Sequence, residues 1–210
     1  ISTLRMLMVK PLVGVIDYGA GNCTSVRNTI SKIGLRSRLV SSSEDFLDIT
    51  ILLIPGVGAF PSAMKALNDL KLVEPIREFA HQGRPVIGVC LGMQLLADAS
   101  YEQDYTRGLE LIPGEVKPLV DPSWHIGWNT LEVVGEDAIA ENSDGHSFFF
   151  NHSFEFEAPS EYVTGVARVG RPIVAMVRKR NICGFQFHPE KSQKAGMELM
   201  KRVIKELIGA

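Results

Sequence analysis

The absences in this chain narrow it first. It has three cysteines, Cys23, Cys90 and Cys183, and no two form a C-x-x-C pair. That spacing encodes no zinc ribbon, no dithiol redox couple and no disulfide-stapled scaffold; a reducing cytoplasm is the expected setting. No apolar run approaches the roughly 18 residues of a membrane span, so no membrane partner is expected. Neither charge is in large excess: 22 Lys and Arg stand against 24 Asp and Glu, a net charge of −2. The basic footprint of a nucleic-acid binder is therefore missing. Gly19-Ala20-Gly21-Asn22 lacks the third glycine and the later acidic residue of a dinucleotide fingerprint, and reads as a tight turn. Repeats, low-complexity tracts and long linkers are also absent.

What is present is an ordinary globular composition, 45% hydrophobic and 22% charged over 210 residues. A chain of this size can bury a full core. The N-terminal stretch carries no cleavage signature, and residues 1–11 are set apart as a tag or a disordered extension, with Met6 or Met8 as a native start. Residues 12–210 read as one domain.

Leu12 to Asp17, Arg36 to Val40, Ile51 to Ile54 and the run ending at Cys90 have strand character. Helical patterns separate them at Asn22–Ile33, Ala59–Asn68 and Leu72–His81, and one more follows at Gly92–Ala99. This alternation predicts an α/β fold with a mostly parallel central sheet and helices on both faces. From about Leu109 the rhythm changes to short β-like runs: Gly114–Leu119, Asn129–Val134, Ser147–Phe154, Tyr162–Val169, Ile173–Arg178 and Ile182–Phe187. These predict an antiparallel or mixed extension. A last amphipathic helix carries Leu199, Met200, Val203, Ile204, Leu207 and Ile208 on one apolar stripe, expected to pack in the core.

Gly88-Val89-Cys90-Leu91-Gly92 is a nucleophile-elbow pattern with sulfur as the reactive atom. A sharp strand-to-helix turn lifts Cys90 clear of the sheet and aims the next helix's N–H groups at it, which favours thiolate. A cysteine nucleophile needs a base, and the base needs an orienter. Of the five histidines, His188 stands out, because a β-like run ends on it and Pro189-Glu190 follows. Proline favours extended backbone before it, and i and i+2 project to one side of an extended chain. Glu190 can then orient His188, giving a Cys-His-Glu triad. Taken alone, His188 and Glu190 would read as a cap and first turn of the last helix.

These segments resemble the class I, triad-type glutamine amidotransferases. Gly88 to Gln94 and Gly184 to Glu190 carry that resemblance. Pro55-Gly56-Val57-Gly58-Ala59-Phe60, His125-Ile126-Gly127-Trp128-Asn129 and Lys191-Ser192 narrow it toward the glutaminase subunits of imidazole glycerol phosphate synthases. The resemblance implies a flavodoxin-like fold and hydrolysis of L-glutamine through a γ-glutamyl thioester, with Cys90, His188 and Glu190 catalytic and neither cofactor nor metal. It further implies backbone oxyanion donors at Gly58 and Leu91, and substrate contacts at Gln94, Glu102, His152 and Ser153. Its implied partner is a cyclase with a (β/α)8 barrel, forming a heterodimer that receives ammonia for histidine biosynthesis. Val57, Trp124, His125, Trp128 and Asn129 fall at that interface or its gate.

Val57 replaces a glycine common in other members. A β-branched residue resists positive φ, so the oxyanion N–H is expected to point away until a partner rearranges the loop. The chain departs from the subfamily at Asn151, Phe154 and Ser123-Trp124. Those departures keep open a paralogue that supplies ammonia for sugar amidination in surface polysaccharides. A non-catalytic regulatory module on the same fold is the remaining alternative.

Overall fold

The computed structural model describes residues 11–209, so the expectation of a tag or disordered extension falls, Pro11 apart, outside the described residues. The first half is built from β1 (Leu12–Ile16), α1 (Cys23–Lys32), β2 (Arg36–Val40), β3 (Ile51–Ile54), α2 (Phe60–Asp69), α3 (Val73–His81) and β4 (Val86–Val89). Asn22 caps α1 by accepting the Ser25 N–H, and Pro61 sits in the first turn of α2, where its missing donor does no harm. Strands β2, β1, β3 and β4 lie side by side and parallel.

The four residues of β3 are fully buried because its alternating side chains enter two cores. Leu52 and Ile54 pack with Phe60, Leu67, Ile76 and Phe79 from α2 and α3. Ile51 and Leu53 pack with Val26 and Ile30 of α1 and with Leu199 and Val203 of the C-terminal helix. Double coverage explains the unbroken apolar run. Each such side chain contributes roughly 1.5–3 kcal/mol.

The chain continues through α4 (Leu91–Leu95), β5 (Ala99–Ser100), β6 (Thr106–Arg107), β7 (Glu115–Pro118), β8 (His125–Thr130) and β9 (Glu132–Val133). It ends with β10 (Ser147–His152), β11 (Phe154–Glu157), β12 (Val163–Val169), β13 (Arg171–Lys179), β14 (Ile182–Phe185) and α5 (Gln193–Gly209). The predicted extension adds to the central sheet: β14 enters parallel to β4, and β13, β12 and β9 follow antiparallel. The remaining strands form a ribbon, β10–β8, and a four-stranded sheet ordered β11-β7-β5-β6.

Three local expectations change. The helix after Cys90 ends at Leu95 instead of Ala99, because Ala99 and Ser100 pair with Arg107 and Thr106 on one side and with Glu115 and Val116 on the other. The predicted strand Asn129–Val134 is two strands, and the first begins at His125, opposite His152. The run Ser147–Phe154 breaks at Ser153, so β10 joins β8 in one sheet and β11 joins β7 in another. That break brings residues 151–154 to the cavity described next.

Candidate active site

Cys90 occupies the turn between β4 and α4 with φ 55° and ψ −114°, a conformation costly for any residue with a side chain. Its N–H donates to the Phe185 carbonyl at 2.7 Å, and its own carbonyl accepts the Met93 N–H at 3.0 Å. The flanking glycines permit the crossing. A Cβ on Gly92 would overlap the Ile54 carbonyl, and one on Gly88 would lie 2.7 Å from the Met93 Cα. Because α4 spans only five residues, its dipole is small. The charge partner available to Cys90 is His188.

His188 follows β14 and is anchored through its backbone. Its N–H donates to the Phe149 carbonyl at 2.8 Å, and its carbonyl accepts the Ser192 hydroxyl at 2.6 Å. Ser192 Oγ in turn accepts the Phe149 N–H at 3.0 Å. His188 Nδ1 lies 2.8 Å from Glu190 Oε1. A carboxylate only accepts, so Nδ1 carries the proton and Nε2 remains for the thiol. The expected His–Glu pairing is present, but Glu190 reaches back from a 3-10 turn, Pro189–Lys191, and not from extended chain. Burial depresses the His188 pKa, but its hydrogen bonds to Cys90 and Glu190 and their negative charge outweigh that and raise it to about 9. Glu190 Oε2 is buried with no hydrogen-bond partner among the described residues, so the carboxylate depends on His188.

A cavity of about 280 Å³ opens beside Cys90, lined among others by Gly58, Gln94, Glu102, His152, Ser153 and His188. It lies near the lower end of the roughly 300–1,000 Å³ of small-molecule sites. The structure therefore brings the predicted catalytic, oxyanion and substrate-contact residues together, with several of them already engaged. Gln94 Nε2 donates to the Phe154 carbonyl at 3.0 Å and to Gln186 Oε1 at 3.1 Å. Glu102 Oε2 accepts the Phe60 N–H at 2.7 Å and so caps α2, which has no side-chain cap of its own. Both ring nitrogens of His152 are bonded within the protein, so it offers substrate no free N–H.

The loop expected to supply an oxyanion donor is pinned at both ends. The Tyr18 hydroxyl donates to the Pro55 carbonyl at 2.9 Å before it, and Phe60 is held by Glu102 after it. Between these points Val57 is 42% exposed and Gly58 has φ +100°. The N–H groups of Val57, Gly58 and Leu91 have no acceptor among the described residues.

Of the residues assigned to a partner interface, Trp124 and Trp128 are 65% and 52% exposed, with Ile126 beside them at 63%. His125 differs: its ring is buried, because alternation along β8 turns 125 inward and 126 and 128 outward. Asn129 also bonds inward, to His125. Trp128 meets Phe149 edge-on, and the Lys191 ammonium sits 5.8 Å over the Phe149 ring. Sequence reading missed the bracing roles of Ser192 and Gln186; the Lys-Ser tail was a signal for the first, and nothing local marks the second. Among the described residues no group of three or more His, Cys, Asp or Glu is arranged to hold a metal ion, and no helix is long and apolar enough to cross a membrane.

Comparison with known proteins bears on the family and the fold. The model of the family "Glutamine amidotransferase class-I" matches residues 14–207. A Streptococcus gordonii protein named imidazole glycerol phosphate synthase subunit HisH is 38% identical over 192 residues, covering 90% of this chain and 93% of its own. A protein of the same name from Listeria innocua is 39% identical over 194 residues, covering 90% and 93%. The structure of PurLQS from Thermotoga maritima superposes with a TM-score of 0.76 at 18% identity, covering 95% of this chain and all of the matched one. A glutamine amidotransferase crystal structure superposes with 0.73 at 20% identity, covering 94% and 99%. The structural likenesses bear on the fold alone.

Proposed function

The chain belongs to the class-I glutamine amidotransferases, and from that premise we propose that it is the glutaminase subunit of an imidazole glycerol phosphate synthase. The observation that carries the reading is the buried line Cys90–His188–Glu190 at the edge of a cavity of about 280 Å³. The names of relatives at 38–39% identity support the histidine-pathway assignment.

In this reading the Cys90 thiolate attacks the side-chain amide carbon of glutamine. The carbonyl oxygen takes the negative charge and is met by the N–H groups of Leu91 and Gly58. Protonated His188 gives its proton to the departing nitrogen, the C–N bond breaks, and ammonia and a γ-glutamyl thioester result. Water then attacks the thioester, His188 takes its proton, the C–S bond breaks, and glutamate leaves. Glu190 keeps the His188 proton on Nδ1 throughout. Gln94 and Glu102 hold the amino-acid end of the substrate, with Glu102 Oε1 toward its ammonium and Ser153 at the rim.

Ammonia passes to a (β/α)8 cyclase that docks over Trp124, Ile126 and Trp128, forming a heterodimer in the cytoplasm. Exposed tryptophan favours such an interface. Docking reorients the Val57–Gly58 peptide and completes the oxyanion site. One such donor is worth about 10²–10³ in rate. Glutamine hydrolysis assayed with and without the cyclase tests this: activity is expected to rise on adding the partner, and full activity in the isolated chain refutes the gating. Rescue of a histidine-requiring strain that lacks its own subunit tests the acceptor. Failure there with intact glutaminase activity would point to the sugar-amidating paralogue.

A further inference from the structure

A chain of polar groups runs between β8 and β10, and its direction is fixed at both ends by backbone carbonyls. At one end His152 Nδ1 lies 2.8 Å from the Phe154 oxygen. A carbonyl only accepts, so Nδ1 bears the proton. At the other end Asn129 Nδ2 lies 2.9 Å from the Arg168 oxygen, while Asn129 Oδ1 accepts the Thr130 N–H at 2.8 Å. Those two contacts orient the amide, so its nitrogen is the group that faces His125 Nε2 at 3.1 Å. Nε2 of His125 must then accept. Its Nδ1 carries the proton and donates to His152 Nε2 at 3.0 Å.

One protonation state satisfies every link. A second proton on His125 would set an N–H against the Asn129 amide hydrogens. A second proton on His152 would force His125 into the other tautomer and create the same opposition. Both rings are at least nine-tenths buried, where such a mismatch is expensive.

The chain ends on an oxygen that matters to the cavity. The Phe154 carbonyl also accepts Gln94 Nε2 at 3.0 Å. The Asn151 carbonyl, in the same segment, lies 3.9 Å from Cys90 Sγ. We propose that Asn129, His125 and His152 form a one-way hydrogen-bond relay of positioning residues that fixes the cavity wall at residues 151–154 and the Gln94 side chain, with both rings neutral and His152 exchanging no proton with substrate. What the wall binds rests on the glutaminase reading above; the relay itself does not.

Multiple-bond ¹H–¹⁵N spectra of the full chain, labelled at histidine, read the tautomers directly. At about pH 7 both rings are expected neutral with the proton on Nδ1. An Nε2–H tautomer or an imidazolium at either position overturns the relay, whether or not glutamine turns over. Kinetics with the cyclase present supply a second readout. His125→Phe keeps the bulk but not the donor, and is expected to raise KM for glutamine about threefold to tenfold with kcat changed less than about twofold. His125→Asn offers an amide donor near the place of Nδ1 and is expected to recover most of that loss. Equal losses in the two variants, or a fall in kcat with KM unchanged, refute the positioning role. The spectra need no variant, so they decide the matter even if His125→Phe does not fold.

Discussion

On one side of the cavity, Cys90 and His188 have their backbone N–H groups bonded to strand carbonyls, and Ser192 ties the His188 loop to β10. On the other side, the Val57 and Gly58 N–H groups have no acceptor among the described residues and both residues face solvent, although Pro55 and Phe60 around them are held. The proposed nucleophile and base are thus held by the folded chain, whereas the N–H groups of the loop opposite meet no acceptor among the described residues. On the proposed reading, the fold holds the reactive groups ready and leaves the last element of transition-state stabilisation to be set by the partner.

Removing the nucleophile breaks the comparison outright. Cys90→Ala is expected to lower glutamine hydrolysis roughly 10⁴-fold or more and to abolish labelling by an electrophilic glutamine analogue, with the melting temperature little changed. Retained labelling would mean that another thiol does the work. Next in size, Glu190→Gln should lower kcat about 10²–10⁴-fold, because the amide no longer holds a charged imidazole. That variant should also bring the His188 pKa down from about 9 toward its ordinary value, which imidazole chemical shifts during titration would follow.

A smaller change sharpens the contrast on the loop side. Val57→Gly frees the peptide that valine stiffens, and the isolated chain is expected to gain about 2–5-fold in glutamine hydrolysis while its stimulation by the partner shrinks. No gain would mean that Val57 does not restrain the loop. The smallest effect is on stability against pH. His188 is raised to about 9, so its contribution is full below about 6.5 and is lost as pH rises through 9. His152, buried and facing His125 and His188, is lowered to about 4. Its contribution is present above about 6.5 and lost as pH falls through 4. Melting temperature should therefore fall by several degrees on each side. His188→Asn should flatten the alkaline limb and His152→Asn the acid limb in thermal scans.

The features legible from sequence are those written in local residue order. The apolar run of β3, the helical pattern starting at Asn22 and the glycines around Cys90 each predict their own surroundings. His188 and Glu190 were paired from two positions of separation, and they do pair. What was not legible depends on which strand lies beside which. Ala99 and Ser100 leave the helical pattern because Glu115 and Arg107 reach them. His125 turns inward because its strand partner is His152. The capping of Phe60 by Glu102 joins groups 42 positions apart in the chain, and no local pattern encodes it.

The crowding at the elbow has a consequence for how this chain can change. With the Ile54 carbonyl against Gly92 and the Met93 backbone against Gly88, neither position has room for even a methyl group. A library randomised across residues 86–95 and selected for folded protein alone, with no demand for activity, should return glycine at 88 and 92. Position 90 should be freed from cysteine in the same selection, subject to its backbone angle and its buried setting. Mutational drift could then erase the reaction long before it erased the turn that makes the reaction possible.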